Sequence, residues 1–520
     1  MAYYLGLDSS TQSLSALAID VEHGTVVLEE SVNFGRDLPH YASPHGFLED
    51  PDPQIKHANP LMWVEALDVL LAKLAGSGFD LSQIAAVSGA GQQHGSVYLK
   101  SGIGEVAPLS PDKPLVEQIA PILSRETSPI WMDSSTSAVC SEIARAVGGD
   151  AIVTQITGSR AIERFTGPQI RKFYLEEPEV YAATQEIHLV SSFMASLLAG
   201  KSVPIDLGDG AGMNLLDLAS ASFSQKMLDA TAPELRARLK GPVPSQEQVG
   251  VVADYFVKKF GFRTNVPIYA FTGDNPSSLI GMGASEPGTA VVSLGTSDTV
   301  FAAMRHPRTD PQGFGHVFGN PAGGFMCLIC FANGSLAREK VAEQAGYDWQ
   351  SFARAILEET APGNGGNLML PFFVPEMTPK VLKPEVRRFG SPDFVAGNDK
   401  KALARAVVEA QALSMQHHSR WIGETPTRLL VTGGASKNRG ILQVLADVFE
   451  AEIRTLSVGN SSALGGALRA AQAALACSWA ELYEKFAAPD PDLILRPDPR
   501  ARGAYDALRA ALTRELQKLG

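Results

Sequence analysis

Two similar α/β domains are what this sequence predicts, and three observations predict them. The chain has 520 residues, 45% of them apolar, which exceeds one ordinary core and suits two domains of roughly 250 residues each. A succession of strand, hydroxyl-rich turn, strand, strand and helix occurs twice along it. Late in the chain a strand runs into a glycine pair and then a helix, the arrangement of open α/β sheets. The two domains are expected over 1–280 and 281–520, with a cleft between them.

The first copy of the repeat reads YYLGLDSS, the turn STQS, LSALAID, TVVLEESVNF and the amphipathic helix MWVEALDVLLAKLAG. The second reads TAVVSLGTSD, TVFAAM, FMCLICFANG and SLAREKVAEQAG. Setting Thr11 against Thr296 aligns the turns STQS and GTSD. A repeat of this size predicts two similar domains facing each other.

Composition removes several classes of function. A formal net charge of −12 repels polyanions, so nucleic acid is not expected as a partner. No apolar run approaches the roughly 20 residues needed to cross a bilayer. The start, MAYYLGLDSS, carries no basic leader, and a cytoplasmic protein is expected. Cys140, Cys327, Cys330 and Cys477 are too few and scattered for a disulfide framework. Cys327 and Cys330 fall in GGFMCLICFANG, a strand on which positions i and i+3 face opposite ways, so neither zinc nor redox chemistry is expected. Proline-rich connections over 105–130, 366–398 and 485–503 read as surface excursions or lids. The terminal AYDALRAALTRELQKLG reads as an amphipathic packing helix.

Four stretches carry chemistry. The turns Asp8-Ser9-Ser10-Thr11-Gln12-Ser13 and Ser293-Leu294-Gly295-Thr296-Ser297-Asp298 would point successive N–H groups and hydroxyls into one concavity, which suits phosphate oxygens. Asp8 is placed to hold Mg2+ through water, because magnesium takes one or two carboxylates and keeps its hydration. The competing reading is two hairpin turns whose Ser, Thr and Asp bond their own backbone. The second stretch is Thr272-Gly273-Asp274-Asn275-Pro276-Ser277-Ser278, after the strand VPIYAF. Asp274 reads as a proton acceptor for a sugar hydroxyl attacking a phosphate. It or Asn275 reads equally as a helix N-cap with Pro276 opening the helix.

The third stretch, Ser88-Gly89-Ala90-Gly91-Gln92-Gln93-His94-Gly95, approaches a dinucleotide fingerprint, but SVYL follows where a helix is required. The glycines read instead as letting a strand turn close to a small ligand, with Gln93 and His94 as its polar groups or as structural ones. The fourth, Val431-Thr432-Gly433-Gly434-Ala435-Ser436-Lys437-Asn438, is a nucleotide-binding βα loop or a routine one. ASLLAGKS at 195–202 matches a relaxed phosphate loop, but its preceding run has helical period, so Gly200 reads as a helix C-cap.

These blocks, together with WMDSST, TGSRAIERFTG, IDLGDGAGMN and VTGGASKNRGILQVLADVF, resemble the FGGY carbohydrate kinases nearly end to end. The resemblance implies two ribonuclease-H-like domains of the actin and hexokinase type with a hinged interdomain cleft, sugar bound mainly to the first and adenosine to the second. It implies ATP with Mg2+ and a small ketose as partners, with D-xylulose the expected acceptor and D-ribulose, L-xylulose or a related polyol the alternatives. Asp274 would be the catalytic base, and His94, Arg164, Asp274 and Asn275 would hold the sugar beside Gln93. The turns at Thr11 with Gln12 and at Gly295 with Thr296 would face the phosphates, with Asp8 and Asp274 near magnesium. Trp349, Gly433, Gly434 and Asn438 would line the adenosine pocket, although Trp349 also reads as a core anchor. Gln93 departs from the Met-His-Gly of the shorter bacterial members and points to the longer, eukaryotic-type branch. An actin-like ATPase remains a rival, as does a nicotinamide dehydrogenase, which requires a helix after Gly95.

Overall fold

A computed structural model of the chain describes residues 2–456, 459–490 and 493–519. It divides into two compact units that are not consecutive halves of the sequence. The first comprises Met1–Ser285, Val317–Phe325 and Val458–Ala487, and the second the remaining segments.

The first unit is built on a seven-stranded sheet: β1 (Tyr3–Ser9), β2 (Ser13–Asp20), β3 (Thr25–Asn33), β4 (Ile84–Gly91), β6 (Gln248–Val251), β7 (Pro267–Tyr269) and the short β8 (Thr272–Gly273), with β5 (Ser96–Leu99) outside it. Its order is β6-β7-β4-β1-β2-β3, with β8 also beside β4. β1 pairs antiparallel with β2 and parallel with β4. β1 and β2 are buried on both faces, and the period of 2 sorts their side chains. Leu5, Leu7, Leu14, Ala16 and Ala18 join one core with Met62 and Trp63 of α1 (Pro60–Gly76). Tyr4, Leu17 and Ile19 turn the other way, onto Ala463, Leu464, Ala467 and Leu468 of the helix Ser461–Leu475. Further helices are α2 (Val190–Ala199), the one-turn α3 (Leu207–Gly210) and α4 (Asp274–Gly281).

The Ser461–Leu475 helix lies against both β1 and α4 at backbone distance. A β-carbon on Gly6 would fall inside the Ala463 carbonyl oxygen, and one on Gly465 inside that of Ser277. Glycine stands at these positions because two backbones meet there. The fit fixes the height of α4 over the sheet.

The second unit repeats the plan. β9 (Thr289–Leu294) pairs antiparallel with β10 (Asp298–Met304), and its sheet also contains β11 (Phe325–Phe331), β13 (Arg428–Thr432) and β14 (Glu452–Thr455). β9 runs parallel to β13, as β1 does to β4. α7 (Lys400–Ser419) packs against α5 (Ser335–Ala345), α6 (Trp349–Leu357) and α8 (Arg439–Phe449), and α8 against β14. Both threonines sit in the turn of the first hairpin of their unit, but the turns are not of equal length by register: Ser9 pairs with Leu14 and encloses four residues, whereas Leu294 pairs with Asp298 and encloses three.

Several local expectations hold. SVYL is a strand, which removes the dinucleotide reading. Gly200 ends α2 in the left-handed conformation at φ 62°. Cys327 is buried and Cys330 half-buried, both on the strand β11. The Asp506–Gln517 helix buries Leu508 and Leu512. Two expectations are corrected. The connection over 105–130 is not merely a surface excursion, since its helix Leu115–Ile119 buries Leu115 and Ile119 in the first core. The connection over 366–398 is not wholly a surface excursion, since it opens with a buried strand, β12 (Leu368–Pro371), paired antiparallel with Val386–Phe389. Its apolar run LMLPFF has more to gain from burial than its prolines lose by lacking donors. Among the described residues no helix is long and apolar enough to cross a membrane.

Candidate active site

In the first unit the sequence motifs converge at one end of the central strands. Ser9 of β1 stands opposite Gly91 of β4, which in turn pairs with Gly273 of β8. The segments that leave those strands are therefore neighbours, and they carry the turn at Thr11, the Gln93-His94 pair and Asp274. This is the carboxyl end of the parallel strands, where open α/β sheets bind ligands.

Asp274 is the first residue of α4, not its cap. Gly273 occupies the cap position without a side-chain bond, and Pro276 is the third helical residue, which corrects the capping alternative. The Asp274 Oδ1 accepts from the Asn275 backbone N–H at 2.8 Å and from its Nδ2 at 2.9 Å. Asn275 Nδ2 also reaches Gln93 Oε1 at 2.8 Å, so one amide bridges the carboxylate to the β4 loop. Burial, and then the charge of Asp8, push the Asp274 carboxyl up to about 7. A carboxyl poised there can exchange a proton near neutral pH, which a general base requires.

Asp8 is buried, with Oδ2 accepting from the Ser10 hydroxyl at 2.6 Å and, among the described residues, no hydrogen bond within 3.5 Å on Oδ1. Burial raises its proton affinity as well. Gln12 leaves its side chain in solvent, while its carbonyl accepts from Phe34 N–H at 2.9 Å. Thr11 Oγ1 accepts from Trp131 Nε1 at 2.8 Å.

His94 is held in the left-handed region at φ 70°, uncommon for a residue with a β-carbon. Its Nδ1 lies 2.8 Å from the Gly212 carbonyl, which can only accept. That assigns the proton to Nδ1 and leaves Nε2 as an acceptor. Burial, then the charge of Arg164, lower its pKa to about 3, so the ring is neutral. Phe165 packs on it with centroids 4.4 Å apart. Arg164 is thus close enough to act on His94 through its field, with its guanidinium 5.9 Å from the Phe165 ring centre.

Three buried groups here escaped the sequence reading. Asp206 caps α3 by accepting from Gly208 and Asp209 N–H. Asp209 is fully buried, takes the Ser191 hydroxyl at 2.5 Å on Oδ2 and, among the described residues, has no protein partner on Oδ1. Burial, then the charge of Asp206, raise it well above the usual carboxylate range. Arg469, also buried, donates to the carbonyls of Ala270 and Gly89 from the Ser461–Leu475 helix. The signal available was the pair of carboxylates inside the aperiodic run IDLGDGAGMN.

Magnesium suits one pair of these residues. Among the described residues no cluster of three or more His, Cys, Asp or Glu side chains is placed to hold a metal. Mg2+ needs fewer, binding through one or two carboxylates with water and phosphate completing its shell. The Asp8 Oδ1, which takes no hydrogen bond within 3.5 Å among the described residues, and the mutual repulsion of Asp8 and Asp274 are what a divalent cation would relieve.

The second unit places its residues in two groups. Gly295 and Thr296 form the turn, with the Gly295 carbonyl accepting from Ser335 N–H at 2.8 Å where α5 begins. Gly433, at φ 91°, brings its loop against this turn, and a β-carbon there would stand 2.4 Å from the Leu294 carbonyl oxygen. Asp298 does not face outward; Arg338 holds it at 2.7 and 2.9 Å, both side chains buried. The other group lines a cavity of about 780 Å³ that includes Trp349, Ala353, Gly434, Asn438 and Ile441. Asn438 caps α8 through Gly440 and Ile441 N–H and donates to the Trp349 carbonyl at 3.2 Å. Trp349 is 47% exposed, so it is not the core anchor its sequence allows, and it leaves an aromatic face for a planar base. The volume is that of small-molecule sites.

Comparison with known proteins agrees with this geometry. The N-terminal domain profile of the FGGY family of carbohydrate kinases matches residues 3–281, and the C-terminal domain profile matches 290–474. A xylulose kinase of Rattus norvegicus is 44% identical over 513 residues, covering 97% of this chain and 94% of its own. The crystal structure of a xylulose kinase from Rhodospirillum rubrum superposes with a TM-score of 0.82 at 21% identity, covering 99% of both chains. That of a gluconate kinase from Lactobacillus acidophilus reaches 0.81 at 19%, covering 100% of this chain and 98% of the other.

Proposed function

Because the chain belongs to the FGGY family of carbohydrate kinases, and so moves a phosphoryl group from ATP to a sugar-like acceptor, we propose that its acceptor is D-xylulose. The products would be D-xylulose 5-phosphate and ADP. The observation that carries the chemistry is Asp274: a carboxyl at the end of β8, bridged by Asn275 to the Gln93-His94 loop and raised to about 7. The sugar assignment is supported by the relative at 44% identity, a xylulose kinase by name. It draws nothing from the fold, since a xylulose kinase and a gluconate kinase superpose equally well.

In this reading the ketose lies over the β4 loop. His94 Nε2 accepts from one sugar hydroxyl, and Arg164, Gln93 and Asn275 hold others. Asp274 takes the proton of the 5-hydroxyl as its oxygen attacks the γ-phosphorus of ATP. Thr11 and Thr296 donate to phosphate oxygens, and the adenosine rests against Trp349, Gly434 and Asn438. Mg2+, when bound beside Asp8 and Asp274, would neutralise charge on the phosphates. The base contributes about 10²- to 10⁴-fold, and positioning with electrostatic stabilisation supplies the larger share.

The test is ADP release with MgATP across D-xylulose, D-ribulose, L-xylulose and the corresponding polyols. The expected result is the highest kcat/KM for D-xylulose. A greater value for another acceptor would replace the sugar and keep the kinase, whereas ATP turnover indifferent to any sugar would favour the actin-like ATPase.

A further inference from the structure

Trp131 is an unusual place for a large apolar side chain. It is 41% exposed, next to Met132 at 37%, and among the described residues it joins none of the hydrophobic clusters of the first unit. Its indole N–H donates to Thr11 Oγ1, at 2.8 Å across 120 residues of sequence. Indole nitrogen donates and never accepts. The threonine oxygen therefore accepts, and one of its lone pairs is occupied.

That contact settles what the hydroxyl has left. A threonine hydroxyl carries one proton and two lone pairs. With the indole N–H on one lone pair, the Thr11 proton is directed elsewhere, and among the described residues no protein acceptor takes it. The turn around it is fixed as well. The N–H of Ser10 donates to the Ser13 carbonyl at 3.0 Å, and Phe34 N–H holds the Gln12 carbonyl. Behind the turn, Gly46 presses so closely on the Thr11 carbonyl oxygen that a β-carbon at 46 would overlap it. Backbone and hydroxyl are each constrained by a residue distant in sequence.

We propose that Trp131 is a positioning residue that sets the Thr11 rotor, so that the Thr11 O–H points out of the turn as a ready donor to an anionic phosphoryl oxygen. Without the indole N–H, the hydroxyl is free to turn its proton away, and part of the interaction must be spent on ordering it. The inference rests on the reading of the Thr11 turn as a phosphate site, and its test separates the two.

The experiment measures kcat and KM with D-xylulose and MgATP for the parent, Trp131→Phe, Thr11→Val and the double variant. Phenylalanine keeps an aromatic ring and removes only the donor. Trp131→Phe is expected to lower kcat about 2- to 10-fold, the worth of one hydrogen bond, with the ketose KM within about twofold of the parent. Thr11→Val should lose at least as much. The double variant should be no slower than Thr11→Val alone, because the indole then has no hydroxyl to set. Thr11→Ser, which keeps the hydroxyl, should retain more of the rate than Thr11→Val. Parent-like kcat in Trp131→Phe beside an impaired Thr11→Val overturns the inference and leaves the phosphate turn standing, as does a double variant whose losses multiply. Parent-like kcat in Thr11→Val overturns both.

Discussion

Acidifying the assay from pH 8 to pH 6 should lower kcat/KM for the ketose by about tenfold. The figure follows from the Asp274 carboxyl at about 7. A group with that pKa is roughly nine-tenths ionised at pH 8 and one-tenth at pH 6, and only the ionised form accepts a proton. The sign is set by burial, which disfavours the charged carboxylate, and by Asp8, whose negative charge works the same way. Against them stand the Asn275 and Gln93 donors, which favour the charged form. An ordinary aspartate, ionising near 4, would leave the rate flat across this range. Because Asp8 and Asp274 repel each other, the acid limb belongs to the pair. ADP should be quantified directly, since coupling enzymes carry their own pH dependence. Asp274→Asn is expected to retain the fold, lose about 10²- to 10⁴-fold in kcat and show no limb. A flat profile in the parent would refute the argument from burial, and parent-like turnover in Asp274→Asn would refute the base.

Gly465→Ala should lower both the melting temperature and kcat, because its β-carbon cannot coexist with the Ser277 carbonyl; α4 must move, and a displacement of about 1 Å at the reacting group costs on the order of 10²-fold. Gly76→Ala, at the open end of α1 with nothing within 4 Å, is the control and should keep full activity, so equal rates in the two variants would refute the packing argument. Asp209 bears on stability. Its carboxyl stays protonated in the folded chain at pH values where the unfolded chain has released the proton. Stability therefore falls as pH rises above about 4, at up to about 1.4 kcal/mol per pH unit until the folded carboxyl ionises. Asp209→Asn lacks that slope, so thermal denaturation should find it gaining on the parent from pH 5 to pH 8; parallel curves would count against a buried neutral acid.

What the sequence disclosed was local. Thr11 and Thr296 were legible because turn chemistry is written in adjacent residues and repeated in both halves. Gly200 and the strand after Gly95 followed from periodicity over a few residues. Asp274 was recognised for its place after a strand, although its position inside the helix and not at the cap depends on how β8 meets α4. What escaped depends on distance. Nothing near Asp209 announces that Ser191 and Gly273 will enclose it, and nothing near Trp131 announces Thr11. Trp349 shows the same limit in reverse, since the run AGYDWQSFA does not say whether its aromatic ring will be covered.

The Ser461–Leu475 helix ties the order of synthesis to the order of folding. Tyr4, Leu17 and Ile19 are made long before the apolar surface of residues 461–475 that covers them. Until residues 461–475 leave the ribosome, one face of the first sheet has no lid, and the glycine contacts that seat α4 do not exist. A nascent chain already holding every strand of that sheet would still expose its outer face. During the interval between those two events the exposed apolar face is open to chaperones and to aggregation.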